Sequence, residues 1–296
     1  MIGSLNRTTP VIVQGITGRM GRTHANLMRA YGTNIAGGTS VRFTPEGVDG
    51  IPVFTTCAAA VAATGAVASV VMAPPDGTRA AVEEALAAGI KLLVTPAEGV
   101  PVHDALAIGR AARAVGAVWV GASNPGLAVP GEMKMGFLPD VCLAPGPVAI
   151  MSKSGTLSYE VGYRLVRAGL GQSLWIGVGG DAVKGVRFAD LLAPFNADNR
   201  THAIALIGEV GGAEEEEFAD ALARTLNSKP VYALIAGREA KEGVAMGHAG
   251  ALTYGTSGTL TSKTERLTAA GAHVFASIES MIAAITADLA AHRRTR

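Results

Sequence analysis

Short apolar runs alternate with stretches of helical periodicity along the whole chain. In the first half, strands are predicted at 11–14, 34–37, 69–72, 91–94 and 117–120. Ala-rich amphipathic stretches such as 76–88 and 102–115 lie between them. These strands are apolar on both faces, as in a parallel sheet covered by helices. Right-handed crossovers then make the first domain, 1–125, Rossmann-like. The rhythm breaks over 122–146, a Gly- and Pro-rich stretch without a period, and a linker is placed at 126–146. Alternation resumes with strands at 147–151, 174–178, 203–207, 230–235 and 273–276. Helices are predicted at 156–168, 187–196, 213–226, 259–270 and 277–292. The pattern predicts a second, flavodoxin-like parallel α/β domain over 147–296. Within it, 237–258 reads as a long loop of Gly and small residues, a kind that is usually functional in a compact domain.

The first strand runs into Gly15-Ile16-Thr17-Gly18-Arg19-Met20-Gly21 and then a helix. Such a turn lets backbone approach a ligand closely, and the helix start offers unpaired N–H groups to a phosphate. A ligand-free tight turn has the same sequence pattern. NAD binding would place an acid at the end of the second strand. Here Gly37-Gly38-Thr39-Ser40-Val41-Arg42 stands instead, with no acid before Glu46. Arg42 suits a phosphorylated ribose, as in NADP or CoA, or is an ordinary surface residue. Pro74 and Pro75 follow the third strand, and Ala97 and Glu98 the fourth. Their place outside the carboxyl ends of the strands is where open α/β sheets bind ligands.

Composition narrows the functional classes. The 296 residues are 49% hydrophobic and only 17% charged, with a net charge of +1. That suits two core-rich domains and provides no global field to draw in nucleic acid or an anionic membrane. At 5% aromatic, the chain has little material for stacking bases. The apolar runs are broken by Gly or Pro, so no membrane span is predicted, and the first residues form no signal-type apolar stretch. The two cysteines, Cys57 and Cys142, are far apart, and a reducing cytoplasm is expected. No metal-ligand set is expected.

Several ordered motifs together resemble the succinyl-CoA synthetase alpha-subunit family. They are Val13-Gln14-Gly15-Ile16-Thr17-Gly18, Tyr31-Gly32-Thr33, Pro52-Val53-Phe54, Ala97-Glu98-Gly99-Val100-Pro101, Ser152-Lys153-Ser154-Gly155-Thr156-Leu157-Ser158-Tyr159-Glu160, Gly177-Val178-Gly179-Gly180-Asp181, Ile207-Gly208-Glu209-Val210-Gly211-Gly212 and Met246-Gly247-His248-Ala249-Gly250-Ala251. The resemblance spans roughly 8–287. It implies a CoA-binding Rossmann domain followed by a flavodoxin-like domain whose His248 is phosphorylated, with Glu209 holding the imidazole. It implies a phosphate site at Ser154, Gly155, Thr156, Gly179 and Gly180, although Ser154 and Thr156 also fit plain helix capping. It further implies a partner: an ATP-grasp beta subunit carrying ATP or GTP with Mg²⁺, as heterodimer or heterotetramer.

Three segments depart from the family pattern. Ser123-Asn124-Pro125-Gly126 replaces the usual Asn-Cys-Pro-Gly where CoA thiol and acid should meet, so that Asn124, Pro125 and Gly126 are the candidate acid contacts. The basic loop after the second strand retains only Arg42. Gly180-Asp181-Ala182-Val183-Lys184-Gly185, then Arg187, adds two cations. These departures favour a short di-acid or functionalised acid, such as malate, itaconate or a sulfonated carboxylate, over succinate. An NADP-dependent oxidoreductase and a non-catalytic CoA- or nucleotide-sensing module are the competing readings; neither needs the histidine loop. The run Glu214-Glu215-Glu216-Glu217 reads as a solvated helix start, where acids oppose the positive end of the dipole. The Arg293-Arg294-Thr295-Arg296 end reads as a frayed tail.

Overall fold

The computed structural model describes residues 2–41, 46–226, 229–237, 248, 250–253 and 255–294, with side chains as far as 291. The chain forms two compact units: 1–138 with 183–186, and 139–182 with 187–296.

The first unit contains β1 (Val11–Gln14), α1 (Arg19–Tyr31), β2 (Ile35–Thr39), β3 (Val53–Phe54), α2 (Cys57–Thr64), β4 (Ala68–Val71), α3 (Thr78–Ala87), β5 (Leu92–Thr95), α4 (Val102–Ala114) and β6 (Val118–Gly121). The strands run parallel in the order β3-β2-β1-β4-β5-β6, the doubly wound order of a Rossmann sheet. Every residue of β1, β4 and β5 is buried, which explains their unbroken apolar sequences. On one face Ile12, Val71 and Leu93 meet Val82, Ile108 and Trp119 from the covering helices and the last strand. Truncating Leu93 to Ala would cost about 2–5 kcal/mol, for lost burial plus the cavity left behind. Local chemistry sets the helix limits. The Thr56 side chain accepts from Ala59 N–H at the start of α2, and Gly32, at φ 117°, ends α1 in the left-handed region.

The stretch 126–146, expected as a linker, carries structure of its own. Strands β7 (Gly126–Val129) and β8 (Met133–Gly136) form an antiparallel hairpin, a short 3₁₀ turn covers Asp140–Cys142, and the next strand opens at Pro145. The unit boundary falls at 138/139 rather than 125. The hairpin is tied back to the first unit: Thr33 Oγ1 donates to Lys134 O at 2.8 Å, and the Arg7 guanidinium donates to Gly131 O and Glu132. Gly and Pro in 122–146 therefore mark tight turns between two-residue-period strands too short to show a pattern.

The second unit contains β9 (Pro145–Ser152), α5 (Gly155–Arg167), β10 (Gln172–Gly177), α6 (Leu192–Ala197), β11 (Ala203–Glu209), α7 (Glu214–Arg224), β12 (Val231–Ala236), α8 (Leu260–Ala269), β13 (His273–Phe275) and α9 (Ile278–Arg294). Its parallel strands run β10-β9-β11-β12-β13, the flavodoxin order, with the topological switch between β9 and β11. Among the described residues, no helix is long and apolar enough to cross a membrane, and no cluster of three or more metal-ligating side chains occurs.

Candidate functional site

The glycine turn between β1 and α1 builds the first site. Gly15 takes a left-handed φ of 76°, and its N–H donates to Thr39 O at 2.9 Å, binding the turn to the end of β2. A Cβ on Gly21 would overlap the Gly15 carbonyl, so the helix start can lie this close to the strand only with glycine there. Thr17 and Ser40 share a hydroxyl–hydroxyl bond of 2.5 Å across the mouth. Below it, Gln14 is fixed by Ala81 O and the Ser69 hydroxyl. The result is a groove of about 470 Å³ whose lining includes Gly15, Thr17, Gly18, Ser40, Ala73 and Pro74. Gly18 caps α1 with no side-chain bond, so that no side chain competes for the N–H groups of the first turn. Arg19 and Met20 are exposed at this helix start. Pro75 opens a 3₁₀ turn over Pro75–Gly77, Ala97 is half-buried, and Glu98 is exposed after β5. A narrow backbone-lined mouth with a helix start at its rim fits the pyrophosphate of a CoA molecule. Arg42 lies outside the described residues.

Asn124 turns inward. It is 5% exposed; its amide donates to Thr95 O at 2.8 Å and Val120 O at 3.2 Å, and its oxygen accepts from Gly126 N–H at 2.6 Å. With these bonds made, the side chain shapes the 121–126 turn, and Ser123 is held at φ 54° beside it. Pro125 and Gly126 are buried in the same turn. Residues 183–186, part of this unit, run along β6: Gly185 N–H donates to Gly121 O and Val186 N–H to Trp119 O, both at 2.8 Å. Lys184 therefore belongs to the first unit and Arg187 to the second. Arg187 ion-pairs with Glu217 at 2.5 Å.

The second site lies at the carboxyl edge of the flavodoxin-like sheet. β11 ends on Glu209, whose Oε2 is 2.6 Å from His248 Nδ1. Side-chain exposures of 12% for Glu209 and 28% for His248 give a desolvated carboxylate beneath an accessible ring. The ring packs on Gly180, where a Cβ would overlap it. Backbone bonds close the loop on two glycine turns: Gly250 N–H to Gly180 O at 3.1 Å, and Gly212 N–H to Leu252 O at 2.8 Å. Gly179 and Gly180 are buried just beyond β10. Ser154 caps α5 by accepting from Leu157 N–H at 3.3 Å, and its own N–H donates to the Ser152 hydroxyl. Gly155 is half-buried and Thr156 exposed at this helix start. Gly247 and Ala249, with most of the 237–258 loop, lie outside the described residues.

The four-acid run is not a solvated helix start. Glu214, Glu215 and Glu216 are buried, and only Glu217 is exposed. Glu215 is enclosed by Lys153 Nζ at 3.0 Å and by a close ion pair with Lys263. Burial alone would raise the Glu215 carboxyl, but the two lysines outweigh it and hold it below the ordinary glutamate value. Burial would likewise lower Lys153, yet Glu215 and Glu214 keep it above the lysine norm. For Lys263, burial dominates and the shift is downward.

Two parallel α/β units, one with a glycine groove after its first strand and one with a carboxylate-held histidine at a strand-end site, have the domain make-up of the CoA-ligase class. The CoA-binding domain family model matches residues 6–99 and the CoA-ligase model residues 151–273. The succinate–CoA ligase [ADP-forming] subunit alpha of Aquifex aeolicus is 44% identical, covering 91% of this chain and 89% of its own length. The ADP-forming sulfoacetate–CoA ligase subunit SauD of Bilophila wadsworthia is 41% identical over 91% of this chain and 93% of its own. The malate–CoA ligase subunit alpha of Methylorubrum extorquens is 38% identical over 88% and 89%. Among solved structures, ATP citrate lyase from Methanothrix soehngenii, in complex with citrate and coenzyme A, shares the fold. Its TM-score is 0.86 at 23% identity, over 98% of this chain and 51% of that one. The chain belongs to the alpha-subunit family of ADP-forming acid–CoA ligases: a CoA-binding acid–thiol ligase subunit whose counterpart is a beta subunit.

Proposed function

We propose that His248 carries a phosphoryl group from ATP or GTP, bound with Mg²⁺ by an ATP-grasp beta subunit, to a short carboxylic acid that this enzyme joins to CoA. The observation that supports this most directly is the Glu209–His248 bond. An ionised carboxylate only accepts, so Nδ1 carries the ring proton and the lone pair of the neutral imidazole lies on Nε2. Nε2 attacks the terminal phosphorus, and the nucleoside diphosphate leaves. The acid's carboxylate oxygen then takes the phosphoryl group, the P–N bond breaks, and an acyl phosphate forms as the ring is restored. CoA supplies the thiol that converts this acyl phosphate to thioester with release of phosphate.

Phosphoryl transfer asks the protein mainly for position and charge neutralisation. In this reading the N–H groups of Gly155 and Thr156, the Ser154 hydroxyl and the backbone of Gly179 and Gly180 receive the phosphohistidine oxygens. Each helix-end charge term contributes about 0.3–1 kcal/mol. Gly15, Thr17, Gly18, Arg19, Met20 and Gly21 hold the CoA phosphates, with Arg42 toward the ribose phosphate and Pro74, Pro75, Ala97 and Glu98 bordering the nucleoside. The turn shaped by Asn124, with Pro125 and Gly126, receives the acid. A reducing, cytoplasmic setting accords with two buried free thiols, Cys57 and Cys142.

The test is a labelling experiment on the complex with its beta subunit. Wild type should take label from γ-labelled nucleotide, and His248→Asn should take none while binding CoA normally. Label retained by the variant would overturn the assignment.

A further inference from the structure

The charged cluster beneath Glu209 has no part in the chemistry described above. It consists of Glu215 (0% exposed), Lys263 (0%) and Lys153 (5%), flanked by Glu214 and Glu216 at 4% each. Ions of this kind are costly to bury, and swapping them for apolar groups is often neutral or stabilising. Fold stability alone therefore does not account for the cluster. Several of its hydrogen bonds, by contrast, run to the backbone around the histidine site.

Glu215 Oε1 accepts the backbone N–H of Glu209, the residue that holds His248, at 3.0 Å. Lys263 Nζ donates to Gly211 O at 2.8 Å, two residues further on. Glu216 Oε1 accepts Gly258 N–H at 2.9 Å, and Gly258 O in turn accepts Gly211 N–H at 2.7 Å. The next residue, Gly212, bonds Leu252 of the histidine loop. A Cβ on Gly212 would stand 4.0 Å from Lys153 Nζ, so this ammonium lies directly beneath that turn. The side-chain bonds come from α7 and α8 and converge, directly or through Gly258, on 209–212. That segment carries Glu209 and docks the loop.

The structure assigns Glu215, clamped by Lys153 and Lys263, as a positioning residue for phosphorylation of His248. It fixes the backbone of Glu209 and, through Lys263 and Gly211, the turn on which the histidine loop closes. Glu215 touches neither substrate nor the phosphoryl group; it acts through Glu209. The inference rests on the functional reading above. The charged groups facing Glu215 are Lys153 from the end of β9, Lys263 from α8, Glu214 and Glu216 from α7, and Glu209 from β11.

The test compares Glu215→Gln with the double variant Glu215→Gln/Lys263→Met in the complex with the beta subunit. The single variant removes the carboxylate nearest both lysines and leaves them only the 3.7 Å pairs with Glu214 and Glu216; the double variant removes one charge of each sign, so its fold should recover. We expect the double variant to unfold at a temperature near wild type and to bind CoA with unchanged affinity. Its His248 should be labelled roughly 10- to 100-fold more slowly, the usual loss for a displaced reacting group. Its imidazole ¹⁵N spectrum should show a mixture of tautomers where wild type shows the Nδ1–H form. Recovery of both stability and labelling rate, with the wild-type tautomer, would make the cluster merely structural and overturn the inference. Absence of label from His248 in wild type would instead sink the functional reading and, with it, this inference.

Discussion

Gly180 and His248 are packed so closely that the imidazole occupies the space a Cβ on Gly180 would need. The same residue bonds the loop through its carbonyl, which accepts Gly250 N–H. Gly180 has no left-handed φ to explain it; contact with the ring is the constraint. Gly180→Ala should therefore leave the fold intact and push the ring off Glu209. We expect histidine labelling to fall by about 100-fold, the scale of a roughly 1 Å misplacement, with CoA affinity unchanged. Calorimetry with CoA beside a labelling time course checks both halves.

If the 121–126 turn receives the acid, as proposed, the departures there and in the 180–187 segment should set the acid specificity. Only one of the two added cations, Lys184, sits in the unit that carries this turn, because 183–186 run along β6. Arg187 is engaged by Glu217. An acid bearing a second anionic group, such as malate, itaconate or a sulfonated carboxylate, should give a kcat/KM at least several-fold above that for succinate. A Lys184→Met variant should lose that margin while retaining histidine labelling. Initial rates of ADP or GDP release over a panel of acids decide it, and a clear preference for succinate would refute the reading.

Most of this architecture was legible in the sequence because parallel strands buried on both faces leave unbroken apolar runs, and because turn glycines punctuate them. Strands predicted at 11–14 and 203–207 match Val11–Gln14 and Ala203–Glu209 closely. The His248–Glu209 pairing was legible only through the resemblance of whole motifs; 39 residues separate the two, and no local pattern joins them. The hairpin over 126–136 was not legible, since two four-residue strands, one opening on Gly126 and the other closing on Gly136, show no period. The acid run was misread for a physical reason. Acids at a helix start are ordinarily solvated, and the lysines that bury Glu215 come from 62 and 48 residues away. Asn124 shows a further limit: its residue type suits a ligand contact, yet its amide is bonded to Thr95 and Val120 carbonyls.

The glycine groove yields a prediction independent of the histidine. Gly21 lets the start of α1 approach the Gly15 carbonyl, and a methyl group has no room there. Gly21→Ala should force helix and turn apart, costing about 1–3 kcal/mol of stability as overpacking does. CoA affinity should fall at least 10-fold, while labelling of His248 from γ-labelled nucleotide persists. Thermal unfolding and CoA titration of the same preparation test this; unaltered CoA affinity would place the ligand elsewhere.

The buried cluster also sets an acid limit on stability, and its sign follows from the direction of the Glu215 shift. Lys153 and Lys263 together outweigh burial, so the folded-state pKa lies below the unfolded value, which is about 4.3 for glutamate. The unfolded chain thus binds the proton first as pH falls. The stabilisation from ionised Glu215 is complete above the unfolded value and is lost as pH drops toward the folded one. Lys153 has the opposite sign: raised in the fold, it contributes fully below about pH 10.4 and loses that contribution as pH rises through its folded value. Wild type should therefore lose stability more steeply than Glu215→Gln below about pH 4.5, although it is the more stable protein at neutral pH. Denaturant titrations of both proteins at several pH values measure the two slopes. Parallel slopes would mean that Glu215 titrates alike in the folded and the unfolded chain, and the net stabilisation of its carboxylate by Lys153 and Lys263 would then be absent.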